Sequence, residues 1–378
     1  MRGNSLLQKL PVWIETSRSS RWLPSKMDWA EPQYSHSKVD KAGDVIRNFP
    51  NSTIDVEDPL VVQAIEVMVD WREAHIFPMA KLRENAEAKL KTINPSSLVF
   101  HRAKRAISIG QKLWREKMRL SQMQDIGGVR VVLDSVAEVR ELENALRSDM
   151  PDHEIVTTDD YILTPKPSGY RSLHLITKYR ADGPWKGLWV ELQVRSRLQH
   201  TWATALETVE TFTKQALKAS QGNDDWLRFF ALMGAVIALR EECGSVPDTP
   251  SGLDLMTEIR FYAKKLDVLT RLRHWRVAVG LPNTSVVTPD DTYFLLRLDT
   301  RNEKVIVTGY TSTDLEEANR DYAAAEQEAQ QLGYEVVLVA AETLNSLREG
   351  YPNYFADTDE FIQCVMEAIN EQPIIKNE

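Results

Sequence analysis

Apolar positions along this chain change period several times, and each change predicts an element. From Asp58 to about Leu90 they recur every three to four residues, VVQAIEVMVDWREAHI and then MAKLRENAEAKLKTI, which predicts helix with a short break at Pro78. Asn94, Pro95 and Ser96 signal a turn. SLVFH then reads as a short strand, AKRAISIGQKLWREKM as a helix, VRVVLD as a strand and VAEVRELENALRS as an amphipathic helix. HEIVTTDDYIL, RSLHLITKYR and LWVELQVR predict three further strands, and RLQHTWATALETVETF another helix.

These elements give an α+β domain, a mixed β-sheet flanked by helices, over residues 58–219. Residues 1–57 are an irregular or helical extension with scattered Pro, Ser and Trp. The polar SQGNDD opens a helical linker, 220–284. After GLPNTSVVTPDD the pattern reads as a hairpin (YFLLRLD, KVIVTGY), a long helix from Asp314, a stop at Gly333, a buried strand EVVLVAA and short helices. Residues 285–378 therefore form a small C-terminal ββαβα domain.

Composition, 43% hydrophobic and 27% charged over 378 residues, is that of an ordinary globular protein. There is no long apolar run to cross a membrane and no signal-peptide pattern at the N-terminus. Two distant cysteines, Cys243 and Cys364, offer neither a disulfide framework nor a zinc site, so a cytoplasmic protein without zinc is expected. Charge changes the picture more. Residues 285–378 carry 19 acidic and 6 basic residues, net −13, against −9 for the whole chain, so residues 1–284 carry +4. A basic front can hold phosphates or RNA, and an acidic tail can rest on it or serve solubility alone.

Four segments carry candidate chemistry. In HRAKRAISIGQK, Lys104, Ser108 and Lys112 fall at i+4 spacing, a cation, a hydroxyl and a cation in a row beside Arg102. A solvated basic helix face would carry the same residues. In MQDIGGVRVVLD, Asp125 precedes a Gly-Gly turn and suits Mg²⁺, though an aspartate so placed is more often just a turn residue. Arg130 stands in an apolar strand, where a guanidinium is costly unless paired or stacked. In LWVELQVRSRLQH, alternation sets Trp189, Glu191, Gln193 and Arg195 on one face and Leu188, Val190, Leu192 and Val194 on the other, as in any one-sided sheet. In PKPSGYRSLHLI, a turn carries Lys166, Tyr170, Arg171 and His174, more chemistry than a hairpin needs. Two carboxylates for Mg²⁺, a phosphate rail and an aromatic on a mobile turn suggest transfer of a phosphoryl-type group from a nucleotide to a partner with a base.

RxKxxxSIxxK, DIGGVRVV, PKPSGYRSLH and VELQVRSRLQHTWATALE, in that order, closely resemble the RelA/SpoT synthetase domain over about residues 95–215. The resemblance implies a nucleotidyltransferase-like fold and transfer of the β,γ-pyrophosphate of ATP to a ribose 3′-hydroxyl. The acceptor is GDP or GTP in most members and the tRNA 3′-CCA end in toxic small ones. By position it implies that Arg102 and Arg130 sandwich adenine, and that Lys104, Ser108 and Lys112 hold the phosphates. It implies that Asp125 and Glu191 bind Mg²⁺, that Glu191 helps deprotonate the acceptor, and that Tyr170 stacks on the acceptor base near His174 and Gln193. Guanosine-making members usually have Asn before Gly-Tyr; here the residue is Ser168, which favours the tRNA acceptor over GDP or GTP.

No adjacent His-Asp pair marks an upstream hydrolase. The tail instead holds REGYPNYFADTDEF, in which Tyr351 and Tyr354 make a Y-x-x-Y arrangement. Two aromatics capping a helix would look the same. The tail also resembles that of fused toxin–antitoxin members of the CapRel type, in which such a motif lies over the ATP site until a phage capsid protein releases it. The expected function is thus a self-inhibited enzyme that pyrophosphorylates tRNA, stops translation and serves anti-phage defence. The alternatives are a guanosine tetra- or pentaphosphate synthetase, or a catalytically dead RNA- or partner-binding module. A dead copy should have lost Asp125 or Glu191, and both are present. A basic rim for tRNA is expected from Lys9, Arg18, Arg21, Lys26, Lys214 and Lys218.

Overall fold

The structure, a computed structural model, describes residues 29–49, 58–213, 223–279, 283–288, 290–291, 293–299, 302, 304–311, 313–332, 334–340, 355 and 357–370. The first helices are α1 (His36–Asn48), α2 (Pro59–Ala74) and α3 (Ile76–Ile93). Ser35 caps α1 by accepting from the Lys38 amide, and Val39, Ala42, Gly43 and Ile46 form its buried stripe. The helix lies within the segment expected to be irregular or helical. Asp58 caps α2, with Pro59 at the first helical position. The break between α2 and α3 falls at His75 rather than Pro78. Pro78 lies in the first turn of α3, where its missing N–H has no intrahelical partner to lose.

The central sheet contains β1 (Leu98–Ala103), β2 (Gly127–Leu133), β3 (His153–Asp160), β4 (Leu173–Tyr179) and β5 (Trp189–Ser196), in the order β1-β2-β5-β4-β3. β2 and β5 run parallel and the other neighbours antiparallel, so the sheet is mixed. Helix α4 (Ala106–Arg115) follows β1, α5 (Val136–Ser148) follows β2 and α6 (Arg197–Thr213) follows β5. Alternation sorts the faces. Val129, Val131, Leu173, Leu175, Val190, Leu192 and Val194 pack with α3 and α5 in one core. Arg130, His174, Glu191, Gln193 and Arg195 alternate with them and face the other way.

Helices α7 (Asp224–Arg240), α8 (Gly252–Lys265) and α9 (Val268–Val279) come next. The second sheet has β6 (Asn283–Val286), β7 (Tyr293–Asp299), β8 (Lys304–Tyr310) and β9 (Glu335–Ala340), ordered β6-β8-β7-β9, with α10 (Leu315–Leu332) between β8 and β9. Helix α11 (Asp359–Asn370) ends the described chain. One apolar core joins α6, α7 and α8 to residues of β7 and β8 and to Phe361, Cys364 and Val365 of α11. Helix α11 is thus built into the body of the protein. Among the described residues no helix is long and apolar enough to cross a membrane.

Candidate active site

The strand register sets out two rows of residues across the sheet. Arg102, Gly128, Glu191 and Ile176 stand side by side, and in the next row but one so do Phe100, Arg130, Gln193 and His174. Gly127 and Gly128 belong to β2 itself, not to a turn before it. The nearest neighbour of a Cβ at Gly128 would be the Arg102 carbonyl at 3.7 Å, so the glycine leaves space between Arg102 and Glu191.

Lys104 lies ahead of α4, whose first residue is Ala106, so Lys104 does not share the helix face with Ser108 and Lys112. Its ammonium nevertheless converges with that of Lys112 on Asp125. Lys104 Nζ is 2.8 Å from Asp125 Oδ2, and Lys112 Nζ is 3.1 Å from Asp125 Oδ1. Burial pushes the Asp125 carboxyl up, but the two ammonium groups outweigh it and hold it below the ordinary carboxylate range. Ser108 stands one turn before Lys112 on α4.

Glu191 is held on both oxygens. His174 Nδ1 lies 2.7 Å from Oε1, and Gln193 Nε2 donates to Oε2 at 2.7 Å. Burial raises this carboxyl, and the bonds from His174 and Gln193 bring it down below its usual range. The Asp125 charge acts on it in the opposite sense, which puts the two carboxylates in one electrostatic field.

The tyrosine is not on a free turn. Its hydroxyl lies 2.7 Å from His174 Nε2 and accepts from Arg195 Nη2 at 2.8 Å. Arg195 Nη2 also donates to Gln193 Oε1 at 3.0 Å. Tyr170, His174, Glu191, Gln193 and Arg195 therefore close a ring of hydrogen bonds. With Arg195 donating to the tyrosine oxygen, that hydroxyl can donate to Nε2, an arrangement in which a proton on Nδ1 points at Glu191.

Sequence reasoning placed Arg195 on the correct face and gave it no role. It also missed Tyr161, whose ring meets Tyr170 edge-on at 5.8 Å and lies under Lys166 Nζ at 4.2 Å. The cluster of Tyr161, Lys166 and Tyr170 within ten residues was the available signal. Arg130 is pushed down to about 10, by burial first and then by the Arg195 and Arg102 charges. Arg102 is exposed beside it.

Of the ten residues expected for ATP and acceptor, Arg102, Arg130, His174, Glu191 and Gln193 thus share one face of the sheet, Tyr170 bonds to His174, Lys104 and Lys112 converge on Asp125, and Ser108 lies on α4. Tyr351, Tyr354 and the six residues of the expected basic rim lie outside the described residues. The donor set fits Mg²⁺: two ionised carboxylates supply hard oxygens, and such sites are commonly completed by substrate phosphates. Among the described residues no group of three or more His, Cys, Asp or Glu forms a larger metal cage.

The family model described as "Region found in RelA / SpoT proteins" matches residues 101–214. GTP pyrophosphokinase YjbM of Bacillus subtilis is 31% identical over 147 residues, which are 35% of this chain and 69% of that protein. The chain belongs to the RelA/SpoT family. A second relative in B. subtilis, GTP pyrophosphokinase YwaC, is 34% identical over 119 residues, 29% of this chain and 56% of that one, so the match spans little more than half of that relative. The solved small alarmone synthetase 1 of B. subtilis bound to its product pppGpp aligns at 25% identity over 45% of this chain and 92% of that one, with a TM-score of 0.39. The RelA/SpoT region defined by the match contains the ring around Glu191, the Asp125 site and Arg130, and begins one residue before Arg102.

Proposed function

We propose that this protein is an ATP-dependent pyrophosphokinase that moves the β,γ-pyrophosphate of ATP to a ribose 3′-hydroxyl. The observation that carries the reading is Glu191, kept ionised by His174 and Gln193 opposite the Lys104–Asp125–Lys112 cluster. Relatives named GTP pyrophosphokinase support the reaction class.

In this reading Arg102 and Arg130 receive the adenine between them, a use of cation–π attraction that accounts for a guanidinium in an apolar strand. Lys104, Ser108 and Lys112 bind the phosphates. Tyr170 carries the acceptor base. Glu191 takes the proton of the 3′-hydroxyl, the resulting oxygen attacks the β-phosphorus, and the bond from that phosphorus to the oxygen bridging to the α-phosphate breaks, releasing AMP. Asp125 and Glu191 are the residues that would hold Mg²⁺, which supplies charge neutralisation at the phosphates.

For the acceptor we favour the tRNA 3′-CCA end. The Ser168 hydroxyl accepts from the Tyr170 amide at 3.4 Å, and a serine, shorter than the asparagine usual in guanosine-making members, makes a weaker base-edge contact to guanine. The names of the relatives favour the second reading, GDP or GTP. Autoinhibition by the C-terminal domain is supported by one ion pair, Arg105 Nη1 to Glu335 Oε2 at 3.3 Å, which sets β9 against the residue next to Lys104. The trigger carried by the resemblance is a phage capsid protein. The reaction class is tested by product analysis: AMP and a pyrophosphorylated acceptor must appear in equal amounts. ADP or free pyrophosphate in place of AMP plus modified acceptor would contradict it.

A further inference from the structure

Helix α7 lies outside the matched region, yet it touches the turn that carries Tyr170. Gly169 has φ +90, and a Cβ there would come within 2.9 Å of the Phe230 carbonyl. From the other side, a Cβ on Gly234 would sit 2.7 Å from Gly169 Cα and 2.8 Å from its oxygen. Two backbones are in contact, and neither has room for a methyl group. Glycine inside a helix costs about 1 kcal/mol relative to alanine, so Gly234 in the middle of α7 is explained by this approach.

The turn is closed around that contact. Gly169 N donates to Lys166 O at 2.9 Å, and Lys166 N to Tyr170 O at 3.3 Å. Arg171, 2% exposed, donates to the Ile162 carbonyl at 3.0 Å and to the Gly244 carbonyl beyond the end of α7. The Tyr170 ring meets Trp202 edge-on at 6.3 Å, and Trp202 Nε1 donates to the Phe230 carbonyl at 2.9 Å. The turn, α6 and α7 therefore meet at Phe230.

The other side of Phe230 faces α11. Its ring stacks on Phe361 of α11, with centroids 5.6 Å apart at 22°. Phe361 is fully buried. Glu360 beside it accepts from Thr201 at 2.7 Å and pairs with Arg197 at 3.2 Å, both on α6, while Glu367 pairs with Arg240 of α7 at 2.8 Å. Helix α11 is held against the two helices that carry the turn.

We infer that Gly234 is a positioning residue for Tyr170, and that α11, through Phe361 and α7, sets the geometry of the acceptor platform. The inference rests on the reading of Tyr170 as the acceptor's base platform. It gives the C-terminal region a constructive role at the acceptor side: α11 stays docked in the active enzyme.

The test uses the full chain, with amide hydrogen exchange over residues 162–172 as the primary readout and acceptor KM and ATP-analogue Kd as the second. Gly234→Ala should speed exchange in that turn by about tenfold or more while β4 and β5 remain protected. It should raise acceptor KM and leave ATP-analogue Kd within about twofold, since every proposed ATP contact lies elsewhere. Phe361→Leu should produce the same pattern to a smaller degree. Ile65→Ala, in the separate core of α1 and α2, should leave the turn unchanged. Unchanged exchange in folded Gly234→Ala overturns the inference, as does equal deprotection of turn and strands, or an equal response to Ile65→Ala. If the wild type turns over no acceptor at all, the functional reading fails, while hydrogen exchange still decides the positioning.

Discussion

The Tyr170 hydroxyl and His174 Nε2 lie 2.7 Å apart, which ties the proposed base platform to the imidazole that holds Glu191. Platform and base are therefore one hydrogen-bonded unit, and substitutions on either side should be felt by the other. Replacing Tyr170 by Phe keeps the ring and removes the link; replacing it by Leu removes both. Tyr170→Leu should raise acceptor KM about 5–150-fold, the equivalent of about 1–3 kcal/mol for a stacked base. Tyr170→Phe should affect kcat more than KM. Steady-state kinetics on both variants separates the two roles.

Glu191→Gln removes the proton acceptor and leaves the size of the side chain unchanged. Pyrophosphate transfer should fall by about 10²–10⁴-fold, with the far-UV spectrum and melting temperature near those of the wild type. A variant that retains full activity would remove Glu191 from the mechanism.

The pH dependence follows from the sign of the Glu191 shift. Its carboxyl is depressed, so it is ionised at and above the ordinary carboxylate range and loses its charge only below it. The acid limb of kcat/KM should therefore lie low. In His174→Gln the Nδ1 contact is altered and burial, which raises the carboxyl, weighs more. The acid limb should move to higher pH. A profile unaffected by this substitution would show that His174 does not set the charge of Glu191.

Asp125 pairs with Lys104 and Lys112 at 2.8 and 3.1 Å. Asp125→Asn should abolish Mg²⁺-dependent transfer. In Mg²⁺-free buffer it should bind an ATP analogue as tightly as the wild type or more tightly, because the two cations are released to the phosphates. The depressed Asp125 carboxyl contributes stability above the ordinary carboxylate range, lost as pH falls through its lowered value. Wild type and Asp125→Asn should thus differ in thermal stability at neutral pH and converge in acid, as read by calorimetry.

Much of the site was legible because strand alternation and short spacing carry it. Glu191, Gln193 and Arg195 follow from period two, and the pairing of Ser108 and Lys112 from the helix repeat. What was not legible depends on contacts between distant segments. The hold on Tyr170 needs Arg195, 25 residues later, and Gly234 on another helix. Lys104 was assigned to a helix that begins two residues after it, yet its side chain still reaches Asp125. The break in the first helical stretch was assigned to Pro78, although proline is harmless in a first turn. The tail was read as a separate unit, but α11 completes the core around Phe229 and Phe230. A chain cut before residue 285 would expose that core, so tests of self-inhibition belong on the full chain.

Such a test is available in Tyr351 and Tyr354, which lie outside the described residues and which the resemblance of the tail implies as a plug over the ATP site. Tyr351→Ala or Tyr354→Ala should release the enzyme and arrest growth when expressed in cells, with Glu191→Gln in the same chain restoring growth. If both tyrosine variants are harmless while the wild type can be triggered, the tyrosines are not the plug.

The measurement that bears most directly on the central claim is transfer of label from γ-labelled ATP in the presence of Mg²⁺. Deacylated tRNA, GDP and GTP are offered side by side to the full chain carrying Tyr351→Ala and Tyr354→Ala. Label is expected on tRNA, and lost when the tRNA 3′-terminal ribose is oxidised or when Glu191→Gln is added. Label on GDP or GTP with none on tRNA would contradict it and assign the protein to guanosine nucleotide metabolism.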